Sequence, residues 1–190
     1  KAIDEMAAEN LLVRRQGKGT FVATHNDPRS YYRFLRLTPD SGEKVQSLSE
    51  PLSCAVIAAT REIAAVLRIG EGDPVVALER LLRFNGEPVV LDQIYLVGEL
   101  FQGLTLERLR GYDRSLYSLF EGDYGVRMIR AEERLRAVPA DPHSGGLLGV
   151  KAGEPLLLVE RTAFTYGNKP VEWRRGFCCT KRHHYLNELG

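Results

Sequence analysis

Two stretches of this chain share one pattern of apolar and polar positions. Between Glu71 and Leu96 it reads EGDPVVALERLLRFNGEPVVLDQIYL, and between Ala152 and Gly176 it reads AGEPLLLVERTAFTYGNKPVEWRRG. Each runs through a Gly-acid-Pro start, an apolar run, Glu-Arg, a Gly/Asn turn and Pro-Val. With one inserted residue, Arg80 falls on Arg161 and Pro88 on Pro170. Residues 75–84 and 89–97 are rich in β-branched and aliphatic side chains, and Asn85-Gly86 supplies the positive φ of a tight turn, so the first copy predicts a β-hairpin. The second copy predicts another. A loop of Asn85, Gly86 and Glu87 sets Val76 opposite Leu96, Leu78 opposite Ile94, Arg80 opposite Asp92 and Leu82 opposite Val90, whereas a two-residue loop sets apolar side chains against polar ones.

The remaining pattern fills in around these hairpins. Residues 45–57 predict an entering strand, and Thr60 caps a helix to about residue 68 that turns Ile63, Ala64 and Leu67 inward. Residues 104–109 and 115–120 have helical spacing, with Ser115 as the N-cap of the second helix. Residues 126–138 alternate as a half-solvated strand, and residues 141–148 predict a short helix before the second hairpin, matching the one before the first. At the front, residues 1–11 place Ile3, Met6, Ala7 and Leu11 on one helical stripe without an N-cap. That implies a chain beginning inside a longer protein. Strand, basic glycine turn and returning strand follow over residues 12–23.

Composition narrows the function. A 190-residue chain that is 44% hydrophobic can bury one substantial core. No apolar run reaches membrane-spanning length and the start does not look like a signal peptide, so no membrane partner and a cytoplasmic location are expected. Three cysteines, with no Cys-x-x-Cys, fit a reducing compartment. With 26 basic and 25 acidic residues, any nucleic-acid footprint is local. The adjacent pairs Cys178-Cys179 and His183-His184 alternate between strand faces and cannot readily converge on a metal, no spacing suggests nucleophilic catalysis, and no cofactor is expected. Arg80 and Asp92 share a face with Val76, Leu78, Leu82, Phe84, Val90 and Ile94, where an unpartnered charge is very costly. They either neutralise each other across the strands or line a pocket in which Arg80 meets an anion.

Here the residues carry a resemblance. AIDEMAAENLLVRRQGKGTFVA is similar to the end of the recognition helix and the wing of GntR-type bacterial transcription factors. LERLLRFNGEPVVLDQIYL, SLYSLFEGDYGVRMIRAEERLRAV and LLLVERTAFTYGNKPVEWRRGF resemble the effector-binding module of the HutC branch, called UTRA. The resemblance implies an α+β fold of the chorismate-lyase type: an antiparallel sheet with helices over one face and a ligand cavity, behind the remnant of a winged helix-turn-helix. It implies a DNA-binding remnant over 1–24, a linker over 25–44 and an effector-binding, dimerising unit over 45–190. Arg14, Arg15, Lys18 and Thr20 would approach operator DNA in the full-length protein. Arg80, Asp92, Ser115, Tyr117 and Glu172 would hold a small anionic metabolite, a carboxylate or sugar phosphate, in a homodimeric repressor. Sugar-phosphate-binding members carry a second arginine two positions after the first, and Leu82 stands there. The rival class is a chorismate-lyase-like enzyme that would hold a carboxylate on Arg80 and transfer protons through an acid such as Glu172.

Overall fold

The computed structural model describes residues 12–15, 19–22, 36–43 and 45–187. Its centre is a six-stranded antiparallel sheet of β4 (Ser47–Ala58), β5 (Pro74–Phe84), β6 (Glu87–Val97), β7 (Arg130–Pro139), β8 (Pro155–Thr165) and β9 (Lys169–Cys178), in the order β4-β5-β6-β9-β8-β7. The internal repeat explains that order. Strand, helix and hairpin occur twice, and the two hairpins meet along β6 and β9, which pair Asp92 with Gly176 and Ile94 with Arg174. Two small pairs accompany the sheet: β1 (Leu12–Arg15) with β2 (Gly19–Val22), and β3 (Leu37–Pro39) with β10 (His183–Tyr185). Backbone pairing of Arg14 with Thr20 forms the hairpin expected of a wing; the helix expected over residues 1–11, the tip residue Lys18 and most of the linker lie outside the described residues.

The first hairpin holds the expected register, Val76 to Leu96 through Leu82 to Val90, but by a different turn. Phe84 pairs with Glu87 and Arg83 with Pro88, so the loop is the two residues Asn85 and Gly86, both at positive φ. The extra residue is taken up by a bulge between Leu82 and Arg83. That bulge returns the apolar side chains to one face, which is why counting a three-residue loop gave the correct partners.

Helices cover both faces, where one was expected. On one face α1 (Arg61–Leu67), capped by the Thr60 hydroxyl, packs Ile63, Ala64 and Leu67 on Val75, Val97 and Trp173. Near it α4 (Pro142–Leu148), opened by an Asp141 capping box, packs Leu148 on Leu81, Leu91 and Phe177. The opposite face receives α2 (Leu106–Arg110) and α3 (Leu116–Tyr124), whose Leu109, Tyr117, Leu119 and Phe120 meet Val76, Leu78, Ile94 and Leu96. The reason is the sheet's composition: the odd-numbered row carries apolar residues of its own, Val75, Leu81 and Leu91, that need cover. The strand expected from residue 126 begins only at Arg130, because Val126 and Met128 turn into the core beneath α3.

Candidate functional site

On the α3 face, the apolar cover stops short of the middle of the sheet. There the pairings bring four charged positions side by side: Arg80 opposite Asp92, Arg161 opposite Arg174. The repeat accounts for the contrast. Arg161 is the counterpart of Arg80, and Arg174 occupies in the second hairpin the place of Asp92. Adjacency of β6 and β9 then lets one carboxylate serve both halves. Asp92 Oδ2 accepts from Arg80 Nε at 2.9 Å and Nη2 at 2.8 Å, and from Arg174 Nη1 at 3.3 Å. Glu172 takes Arg174 in a fork, with Nε to Oε1 and Nη2 to Oε2 both 3.0 Å. The Tyr117 hydroxyl donates to Glu172 Oε1 at 2.9 Å, which fastens α3 to the sheet. Arg161 is held by Glu133 of β7, Nε to Oε1 at 2.7 Å, and Glu133 in turn accepts from the Tyr185 hydroxyl of β10.

Burial sets the electrostatics. Burial pulls the Arg80 guanidinium below its ordinary pKa even though Asp92 opposes it. Burial also opposes the charge of Arg174 and is the largest single influence on it, but Glu172, Tyr117 and Asp92 together outweigh it and the pKa rises. For Asp92, burial raises the carboxyl, and Arg174 with Arg80 more than reverses this. The Tyr117 hydroxyl is pushed up to about 12 by burial and by Glu172, and so stays a donor.

These groups border a cavity of about 400 Å³, a volume suited to a small metabolite. Arg80, Asp92, Arg161, Arg174 and Gly176 form part of its wall; Ser115 and Tyr117 bring the N-terminus of α3 to it; Arg36, Arg114 and Tyr185 stand around it. The Ser115 hydroxyl caps α3 by accepting from the Ser118 amide at 3.1 Å, so the positive end of that helix faces the cavity wall. Four of the five expected effector residues, Arg80, Asp92, Ser115 and Tyr117, therefore meet at one cavity. Glu172 does not line it. It is wholly buried behind Arg174, which it orients. Alternation along β9 carries the signal for Arg174, since it shares a face with Glu172 and Gly176, and the repeat carries the signal for Arg161. Arg36, Arg114 and Tyr185 lie on segments without periodic pattern and left no such trace.

The cysteine and histidine pairs go elsewhere. Cys178 faces the cavity while Cys179 packs with Leu148 and Phe177 on the other side of the sheet; His183 sits edge-on to Phe84, and His184 bonds Asp40 at 2.8 Å. Arg83, next to the Leu82 departure, turns away from the cavity to Glu50 at 2.8 Å.

The model of the UTRA domain matches residues 43–184. The chain belongs to the UTRA family. The HTH-type transcriptional repressor NagR of Bacillus subtilis is 24% identical over 193 residues, covering 100% of this chain and 78% of that protein. The histidine utilization repressor of Pseudomonas putida is 30% identical over 193 residues, covering 96% and 72%. Among solved structures, one described as the ligand-binding domain of a GntR-family transcriptional regulator from Bordetella bronchiseptica superposes with a TM-score of 0.81 at 46% identity, over 84% of this chain and 99% of that one. This UTRA chain thus shares its fold and family with transcriptional regulators, and among its described residues no helix is long and apolar enough to cross a membrane.

Proposed function

We propose that residues 45–190 are the sensing part of a ligand-responsive bacterial transcriptional regulator, and that a small anionic metabolite binds between Arg80, Arg161, Arg174 and the N-terminus of α3. The observation that carries this reading is the cavity itself: buried guanidiniums share its wall with a helix N-terminus, and both favour an anion. In the full-length protein, residues 1–24 would end a winged helix-turn-helix whose wing residues Arg14, Arg15, Lys18 and Thr20 approach operator DNA, with residues 25–44 as the linker. Arg36 and Leu37, which lie within the linker at the start of β3, stand at the cavity wall, and β10 pairs with β3. Through Tyr185, Glu133 and Arg161, occupancy of the cavity can therefore be felt at β3, inside the linker. In a homodimer an effector that prefers one arrangement would change the spacing of two DNA heads by its difference in affinity for the two arrangements.

The enzyme reading fares worse on its own terms. Glu172, the acid named for proton transfer, is fully buried under Arg174 and is absent from the cavity wall, and Asp92, the acid that does line it beside Arg80, is occupied by Arg80 and Arg174. Isothermal titration of the chain and of Arg80→Met with small carboxylates and phosphate esters tests the proposal. Saturable binding that Arg80→Met abolishes, without turnover, is expected. Turnover, or binding indifferent to Arg80, would refute it.

A further inference from the structure

Resting on that effector-site reading, we infer that the cavity takes a carboxylate with a compact apolar body, in preference to a sugar phosphate or a polyhydroxylated acid. The order of side chains across the sheet carries this. Strand pairing sets Arg80, Asp92, Gly176 and Val159 in one line across β5, β6, β9 and β8. On the side toward α3 the next line holds Arg174 and Arg161. On the other side it holds Leu82, Val90 and Cys178, which pack with Leu37 of β3. The buried charge of the cavity thus lies toward its α3 end, while Leu82, Val90, Val159, Cys178 and Leu37 give its β3 end an apolar surface beside Arg36 and Tyr185. A sugar hydroxyl laid over those side chains gives up water and gains no partner. Ser47 and Ser49 offer hydroxyls along the β4 edge and Tyr185 one beside β3, but Ser49 already accepts from Arg80 at 3.4 Å and Tyr185 already donates to Glu133.

Charge counting points the same way. Arg80, Arg161 and Arg174 are matched by Asp92, Glu133 and Glu172, so the buried group is balanced before any ligand arrives. One negative charge suits Arg80, whose carboxylate partner Asp92 is shared with Arg174. A second would depend on Arg36 and Arg114 at the wall, where Asp113 opposes it. Leu82 stands beside Arg80's line, where its aliphatic side chain meets the body of the ligand.

Isothermal titration of the 190-residue chain with phenylacetate, isovalerate, gluconate, glucose phosphate and neutral phenylacetamide tests this. Phenylacetate or isovalerate should bind at least about tenfold more tightly than gluconate and glucose phosphate, and phenylacetamide at least about tenfold more weakly than phenylacetate. Leu82→Asn should narrow the gap between phenylacetate and gluconate. If gluconate or glucose phosphate binds as well as the apolar acids, and Arg80→Met abolishes that binding, the effector site stands and this inference falls. If none of the anions binds, both fall. The ranking in the unaltered chain decides the matter even if Leu82→Asn does not fold.

Discussion

The two members of the first buried pair should respond very differently to removal. Asp92→Asn takes away the carboxylate that accepts both Arg80 and Arg174. Arg174 keeps its fork to Glu172, but Arg80 is left with the Ser49 hydroxyl at 3.4 Å, in a site where the residue is only 8% exposed. An uncompensated buried charge of this kind costs about 3–5 kcal/mol. Arg80→Met instead leaves Asp92 paired with Arg174, replaces the lost volume with an apolar chain, and should cost under about 2 kcal/mol, since no buried charge is left without an opposite partner. With a urea slope of about 2 kcal/mol/M, the midpoint should fall by roughly 2 M for Asp92→Asn and by less than about 1 M for Arg80→Met. Trp173, the sole tryptophan, is buried and stacked 5.3 Å from Tyr95, so its fluorescence reports global unfolding. The pH dependence has a definite sign. The pKa of Asp92 lies below its ordinary 3.8 in the fold, so its contribution is complete above that value and is lost as pH falls through the lower folded value. The penalty of Asp92→Asn should therefore shrink in strong acid. Equal costs for the two variants, or a larger cost for Arg80→Met, would refute the pairing scheme.

Three further outcomes are expected. Tyr117→Phe should lose on the order of 1 kcal/mol at neutral pH; because burial and Glu172 raise the Tyr117 hydroxyl to about 12, wild-type stability should also decline as pH rises from the ordinary 10 toward 12, and this variant should flatten that decline in a urea-midpoint series. Leu82→Arg should shift the ligand ranking toward glucose phosphate in a thermal-shift comparison with phenylacetate, and an unchanged ranking would contradict the role given to this position. Gly98→Ala should destabilise by about 1–3 kcal/mol in urea denaturation, because a Cβ there would stand 2.4 Å from the Pro74 carbonyl oxygen.

Local pattern made the sheet legible. The repeat, the Asn85-Gly86 turn and the caps at Thr60 and Ser115 all announce themselves within a few residues, and the structure places strands and helices accordingly. Alternation alone also brought Arg80 opposite Asp92. What alternation does not encode is which strands become neighbours. Only the meeting of β6 with β9 puts Arg174 against Asp92 and pushes Glu172 behind it, so the reading named Glu172 for a cavity contact that falls to Arg174. The turn was misjudged for a related reason: a bulge and a longer loop yield the same facing pairs and differ only in backbone pairing next to the loop. A helix stripe does not say which sheet face it covers, and so both faces of this sheet were filled where one was expected.

Anion capture by the buried guanidiniums is reported directly by the Nε–H resonances of arginine. In a two-dimensional nitrogen–proton spectrum of the labelled chain, adding phenylacetate should move the signals of Arg80, Arg161 and Arg174 together and saturably, while those of exposed arginines such as Arg136 stay in place. Signals of the three that remain fixed while the exposed arginines drift in proportion to added salt would contradict it.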